Sequence, residues 1–167
     1  MSIAQVLTFT NNPNVKLIDA RGPRFGAAIT TVVLTAFLAT EALPLLYWQL
    51  AIFAIGAFVG LNYSPYALLF SKLIKPRLRG DVPTEDSLPP QFAQLVGFIF
   101  AATATVAYLV GASALGYIVV AMALAAAFLN AAFNFCLGCE VYLLIARAKS
   151  AVTARSNRED SYNFPAL

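Results

Sequence analysis

In a chain of 167 residues, hydrophobic side chains make up 60%, charged ones 11%, and the mean hydropathy is +0.74. Lipid is the main solvent of a chain this apolar, which excludes a soluble globular enzyme and defines an integral membrane protein. The net charge of +3 is accounted for by topology signalling and contact with anionic headgroups, so the bilayer is the expected partner and nucleic acid is not.

Residues 1–24 form a polar N-terminal segment. Four continuously apolar runs follow, at 25–43, 45–63, 92–111 and 115–135, each close to the roughly 20 residues that a helical span needs. Strands of a membrane barrel alternate apolar and polar residues, and these runs do not. The expected fold is an all-α membrane protein of four transmembrane helices, arranged as two hairpins in one domain over residues 25–148. The first hairpin turns at Glu41-Ala42-Leu43-Pro44 and the second at Gly111-Ala112-Ser113-Ala114, and a polar, Pro-rich stretch at 72–91 separates them. The first run is expected to stay in the protein and not to be a cleaved signal, because its removal would leave three helices and split the charge pattern.

The cations are segregated. Lys16, Arg21 and Arg24 precede the first run, Lys72, Lys75, Arg77 and Arg79 lie between the second and third, and Arg147, Lys149, Arg155 and Arg158 follow the fourth. Neither hairpin turn carries Lys or Arg. The expected location is the inner (plasma) membrane, with both termini and the central loop cytoplasmic.

An internal pseudo-repeat relates the hairpins. Asp19-x-x-x-Pro23-x-Phe25 returns as Asp86-x-x-x-Pro90-x-Phe92, and Leu61-Asn62-Tyr63-Ser64 resembles Phe133-Asn134-Phe135-Cys136. Each unit crosses and returns, so the two halves have parallel topology. Ser64 and Ala67 then take the places of Cys136 and Cys139. Amphipathic stretches follow the second and fourth helices, at 66–75 and 140–149, and either lie on the inner surface or extend the helices into the cytosol. Residues 149–167 are read as a cytoplasmic C-terminal tail, of which 155–167 is polar and disordered or loosely attached.

The main chemical motif is Asn134-Phe135-Cys136-Leu137-Gly138-Cys139-Glu140, which holds both cysteines of the chain. About 20 residues counted inward from Leu115 place Cys136 at the cytoplasmic interface. Cytosolic reductants keep such pairs reduced unless they are catalytic or sensing, which argues against a structural disulfide. A Cys-x-x-Cys pair opening a helix feels the positive end of the helix dipole, which favours the thiolate of the first cysteine. Cys136 and Cys139 are the candidate redox dithiol, with Glu140 and Asn134 in support: Glu140 as a proton acceptor, Asn134 with Asn130 as hydrogen-bond donors on one face of the fourth helix. Gly138 allows close approach of a partner's backbone, and Gly56 and Gly60 allow close helix packing. The competing reading of both cysteines is as small packing residues. No histidine is present and two thiolates are too few for a closed zinc or iron-sulfur site, so neither metal nor cofactor is expected.

On the Asp19-to-Phe25 entry, Ser64-Pro65 and the Cys-Leu-Gly-Cys run, residues 15–148 resemble an actinobacterial integral membrane family described as domain of unknown function 4395. That resemblance implies association with rhodanese-like sulfurtransferases and thioredoxin-like proteins. The function expected is a cytosol-facing thiol or sulfur relay, in which Cys136 attacks a disulfide or sulfane sulfur and Cys139 resolves the product. The alternative is a small accessory or assembly subunit of a larger membrane complex, with no catalysis of its own. A homo-oligomer is compatible with either.

Overall fold

The computed structural model describes residues 17–78 and 83–162, with side chains described to residue 150 except Lys149. Lys16 and Arg79 of the cation pattern fall outside the described residues, as do the side chains of Lys149, Arg155 and Arg158. The chain opens with a short strand β1 (Leu17–Asp19), followed by α1 (Arg21–Thr40) and α2 (Leu43–Ala54), which continues as a wider turn over Ile55–Val59. A tight turn at Leu61–Tyr63 leads into α3 (Pro65–Leu69) and two further helical turns, Phe70–Ile74 and Lys75–Arg77. Strand β2 (Thr84–Asp86) precedes α4 (Leu88–Leu109), α5 (Ser113–Phe133) and α6 (Leu137–Tyr162).

Among the described residues, α1, α4 and α5 are long and apolar enough to cross a membrane. The run at 45–63 makes a shorter apolar helix, Leu43–Val59. It stops at Gly60, whose φ of 126° lies in a region closed to most side chains. Gly60 therefore ends a helix and is not the packing device its spacing from Gly56 suggests.

The helices start earlier than hydropathy alone places them. Pro23, Pro44, Pro89 and Pro90 all lie within first helical turns, where the missing N–H is no loss and the fixed φ suits a helix. Asp19 and Asp86 complete two of these starts in the same way. The Asp19 Oδ1 accepts the N–H of Arg21 at 3.1 Å, and the Asp86 Oδ1 accepts that of Leu88 at 2.9 Å. Each satisfies a backbone donor that the helix cannot.

Strands β1 and β2 pair antiparallel, Leu17 opposite Asp86 and Asp19 opposite Thr84, which ties the starts of α1 and α4 together. Helix α5 packs against both α1 and α4, α2 packs on α4 and on α1, and α6 rests chiefly on α4. The core gathers Leu34, Phe37, Leu46, Phe53, Ala104 and Val120, with the Phe37 ring edge-on to Tyr108 at 5.4 Å. Large apolar side chains such as Val32, Ile99, Val106, Ile118 and Phe128 are exposed on the helix surfaces, an arrangement that fits a membrane protein. Helix α6 runs without a break across position 149 as far as Tyr162.

Candidate functional site

Helix α5 ends because Asn134 takes a left-handed conformation, φ 55°, with its N–H bonded back to the Asn130 carbonyl at 3.1 Å. The chain reverses into a new helix within three residues. Cys136 stands immediately before α6, and its carbonyl accepts the Glu140 N–H at 3.0 Å. Its Sγ accepts the N–H of Cys139 at 3.3 Å. Cys136 is thus the N-cap of α6, with sulfur in the place an oxygen usually fills. That position sets the positive end of the helix dipole beside the sulfur.

The Cα atoms of Cys136 and Cys139 are 5.2 Å apart and the two sulfurs lie at disulfide-bonding distance. The sequence reading argued against a structural disulfide; the geometry nevertheless allows the bond to close. Asn134 and Glu140 do not join the cysteines. Both are exposed, and Asn134 acts through its backbone, which removes it from the helical face expected to be shared with Asn130. Gly138 does permit a close approach, but to the chain's own α4: a Cβ there would meet the Ala93 Cα and Cβ at 2.7 Å. Among the described residues, no group of three His, Cys, Asp or Glu is placed to hold a metal.

Beside the dithiol lies a cavity of about 390 Å³. Its walls come from α1, α2, α4, α5 and the start of α6, and Cys136 lines it along with Gln94, Asn130, Phe53 and Phe100. Gln94 is the residue that sequence reasoning missed. Its Oε1 is buried without a hydrogen-bond partner, and its side chain fills the space above Gly56, where a Cβ would meet the Gln94 Cγ at 2.9 Å. An amide inside an apolar run is itself a signal, because polar side chains at membrane depth are costly and tend to be functional.

Thr30 links the cavity to a buried polar chain. Trp48 Nε1 donates to the Tyr66 hydroxyl at 3.2 Å, Tyr66 donates to Gln49 Oε1 at 3.1 Å, and Gln49 Nε2 donates to Thr30 Oγ1 at 3.1 Å. Each link is satisfied, so the chain locks α1, α2 and α3 in register. A second cavity of about 200 Å³ lies against Ser64, Ala67, Asn62, Asp19 and Lys75. Between the strands, burial and then the nearby Asp19 carboxylate raise the Glu85 pKa above the ordinary carboxylate value.

The fold and site define a small helical protein with membrane-competent helices and a Cys-x-x-Cys pair capping a helix beside an internal cavity. Residues 18–147 match the family described as Domain of unknown function (DUF4395), and the chain belongs to that family. No curated protein and no solved structure matches the chain.

Proposed function

We propose that this protein is a multi-pass inner-membrane thiol or sulfur relay, with Cys136 and Cys139 as its reactive pair on the cytosolic side. The observation that carries the reading is the Cys136–Cys139 pair at disulfide-bonding distance at a helix N-terminus, where the Cys136 Sγ accepts the Cys139 N–H. In the reaction, the Cys136 thiolate attacks a disulfide or sulfane sulfur on a soluble thioredoxin-like or rhodanese-like partner. From a disulfide partner this gives a mixed disulfide, from which Cys139 displaces the partner's thiolate. From a sulfane sulfur it gives a Cys136 persulfide as the partner's thiolate leaves, from which Cys139 displaces sulfide. Either way the intramolecular disulfide closes, and a soluble dithiol reduces it again by exchange.

A fourth crossing is proposed for the shorter helix Leu43–Val59, which packs along α4 inside the bundle and would reach about 25 Å, close to the hydrocarbon thickness. A cytoplasmic setting for both termini is supported by the placement of every Lys and Arg outside the two hairpin turns. The proposed pseudo-repeat is supported by paired details: Asp19 and Asp86 cap their helices alike, and Ser64 precedes α3 as Cys136 precedes α6. Phe25 meets Phe70 at 5.7 Å and Phe92 meets Tyr142 at 5.7 Å.

The test is thiol alkylation in intact cells with membrane-permeant and impermeant maleimides, before and after an oxidative challenge. Labelling by the permeant reagent alone, lost on oxidation and then recovered, is expected. Thiols that stay reduced and unreactive until denaturation would overturn the relay and favour the accessory-subunit reading, which copurification with a large complex would then establish.

A further inference from the structure

We infer that the cavity beside Cys136 binds the ring of a lipid-soluble quinone, and that the Cys136–Cys139 dithiol passes two electrons to it. The inference rests on the relay reading and names where its electrons go.

The position of the cavity selects a ligand from the lipid phase. Its lining starts at Cys136 and Gly138 and follows α5 from Asn130 to Met122, about 12 Å along the helix axis, into the apolar span. A water-soluble acceptor would have no reason to reach that depth. The volume of about 390 Å³ falls in the range of sites for small organic ligands. Phe53, Phe100 and Met122 provide the apolar and aromatic surface on which a flat ring packs.

The polar groups are few and uncharged. Gln94, Asn130 and Thr30 bring polar side chains to the lining; the Thr30 hydroxyl already accepts from Gln49, and the Gln94 Oε1 lies closed off against Gly56 with no partner in the protein. An amide suits both redox states of a quinone, since its N–H donates to the carbonyl of the oxidised ring and its oxygen accepts from the hydroxyl of the reduced ring. A carboxylate or an ammonium would serve only one of them. Cys136, and not Cys139, lines the cavity, so Cys136 is the sulfur placed to meet the ring.

The redox step balances. The Cys136 thiolate adds to a ring carbon, Cys139 as thiolate attacks the Cys136 Sγ, the S–C bond breaks, and the S–S bond forms. The two electrons and the two thiol protons finish on the two ring oxygens, giving quinol and disulfide. A soluble dithiol then reduces the disulfide by exchange and is itself oxidised.

The test uses the full chain in lipid nanodiscs, reduced, freed of reductant and mixed anaerobically with decylubiquinone or a short-chain menaquinone. Quinol is followed by absorbance and thiols by maleimide mass shift, and exchange of the disulfide with reduced thioredoxin and with dithiothreitol is measured in parallel. Quinol is expected to appear in step with loss of the thiol pair. Gln94→Leu is expected to slow quinone reduction about tenfold, the effect of losing one buried hydrogen bond to the ligand. Ala127→Phe, which fills the cavity, is expected to abolish quinone reduction, with an unchanged circular-dichroism spectrum and unfolding midpoint showing that each variant is folded. Quinone oxidising both variants at the wild-type rate would overturn the cavity site. Thiol exchange without any quinone reduction by the wild type would overturn the inference and leave the relay standing. Failure of both reactions would overturn the relay and this inference together.

Discussion

The ring of Phe92 lies 5.7 Å from that of Tyr142, tilted by 49°, next to the crossing where Gly138 meets Ala93. These two contacts seat the helix that carries the cysteines on α4. Gly138→Ala is expected to lift it, because the added carbon would stand 2.7 Å from the Ala93 Cα, an overpacking cost of about 1–3 kcal/mol. Thermal unfolding in mild detergent should show the loss, and maleimide should reach Cys139 faster. Ala93→Gly in the same chain should restore only part of the stability, since the Cα clash remains.

Replacements of Cys136 should separate its capping role from its chemistry. Serine keeps an acceptor for the Cys139 N–H, whereas alanine removes it and should cost about 0.5–2 kcal/mol of helix stability. Both variants should lose the mobility shift that marks the closed disulfide on gels. Equal unfolding midpoints for the two would show that the sulfur does not cap the helix.

The polar chain from Trp48 to Thr30 predicts a graded response. Gln49 is fully buried, and Gln49→Leu would leave the Tyr66 hydroxyl without its acceptor and the Thr30 Oγ1 without the Gln49 donor, at about 1–3 kcal/mol. Trp48 is half exposed, so Trp48→Phe should cost less, since only one end of the chain is cut. Unfolding midpoints of the two variants check the order.

Glu85 predicts a pH dependence of opposite sign to that of most carboxylates. Its folded pKa is raised, by burial first and by the Asp19 carboxylate second, so the protonated form is the one that folding favours. That contribution is fully present below the unfolded pKa and is lost as pH rises through the folded pKa. Amide exchange in β1 and β2 should therefore quicken as the pH rises through the carboxylate range, after correction for the intrinsic rate. Glu85→Gln should flatten the profile and slow exchange at neutral pH.

Hydropathy and turn chemistry, both local, were readable from the chain itself. They gave the membrane class, the four apolar runs and the breaks near Glu41 and Gly111, because each depends on a few neighbouring residues and their solvent. They also put Cys136 beyond the last span, at a helix start. Helix ends were legible only in part: the first-turn prolines moved the starts outward, and Gly60 cut the second run short. Tertiary structure decided the rest. Strands β1 and β2 have three residues each and exist only because the starts of α1 and α4 meet. The close partner of Gly138 is Ala93, the orphaned amide beside the dithiol is Gln94, and the cavity is walled by five helices. None of these is a property of a sequence window, since each arises from packing between residues far apart along the chain.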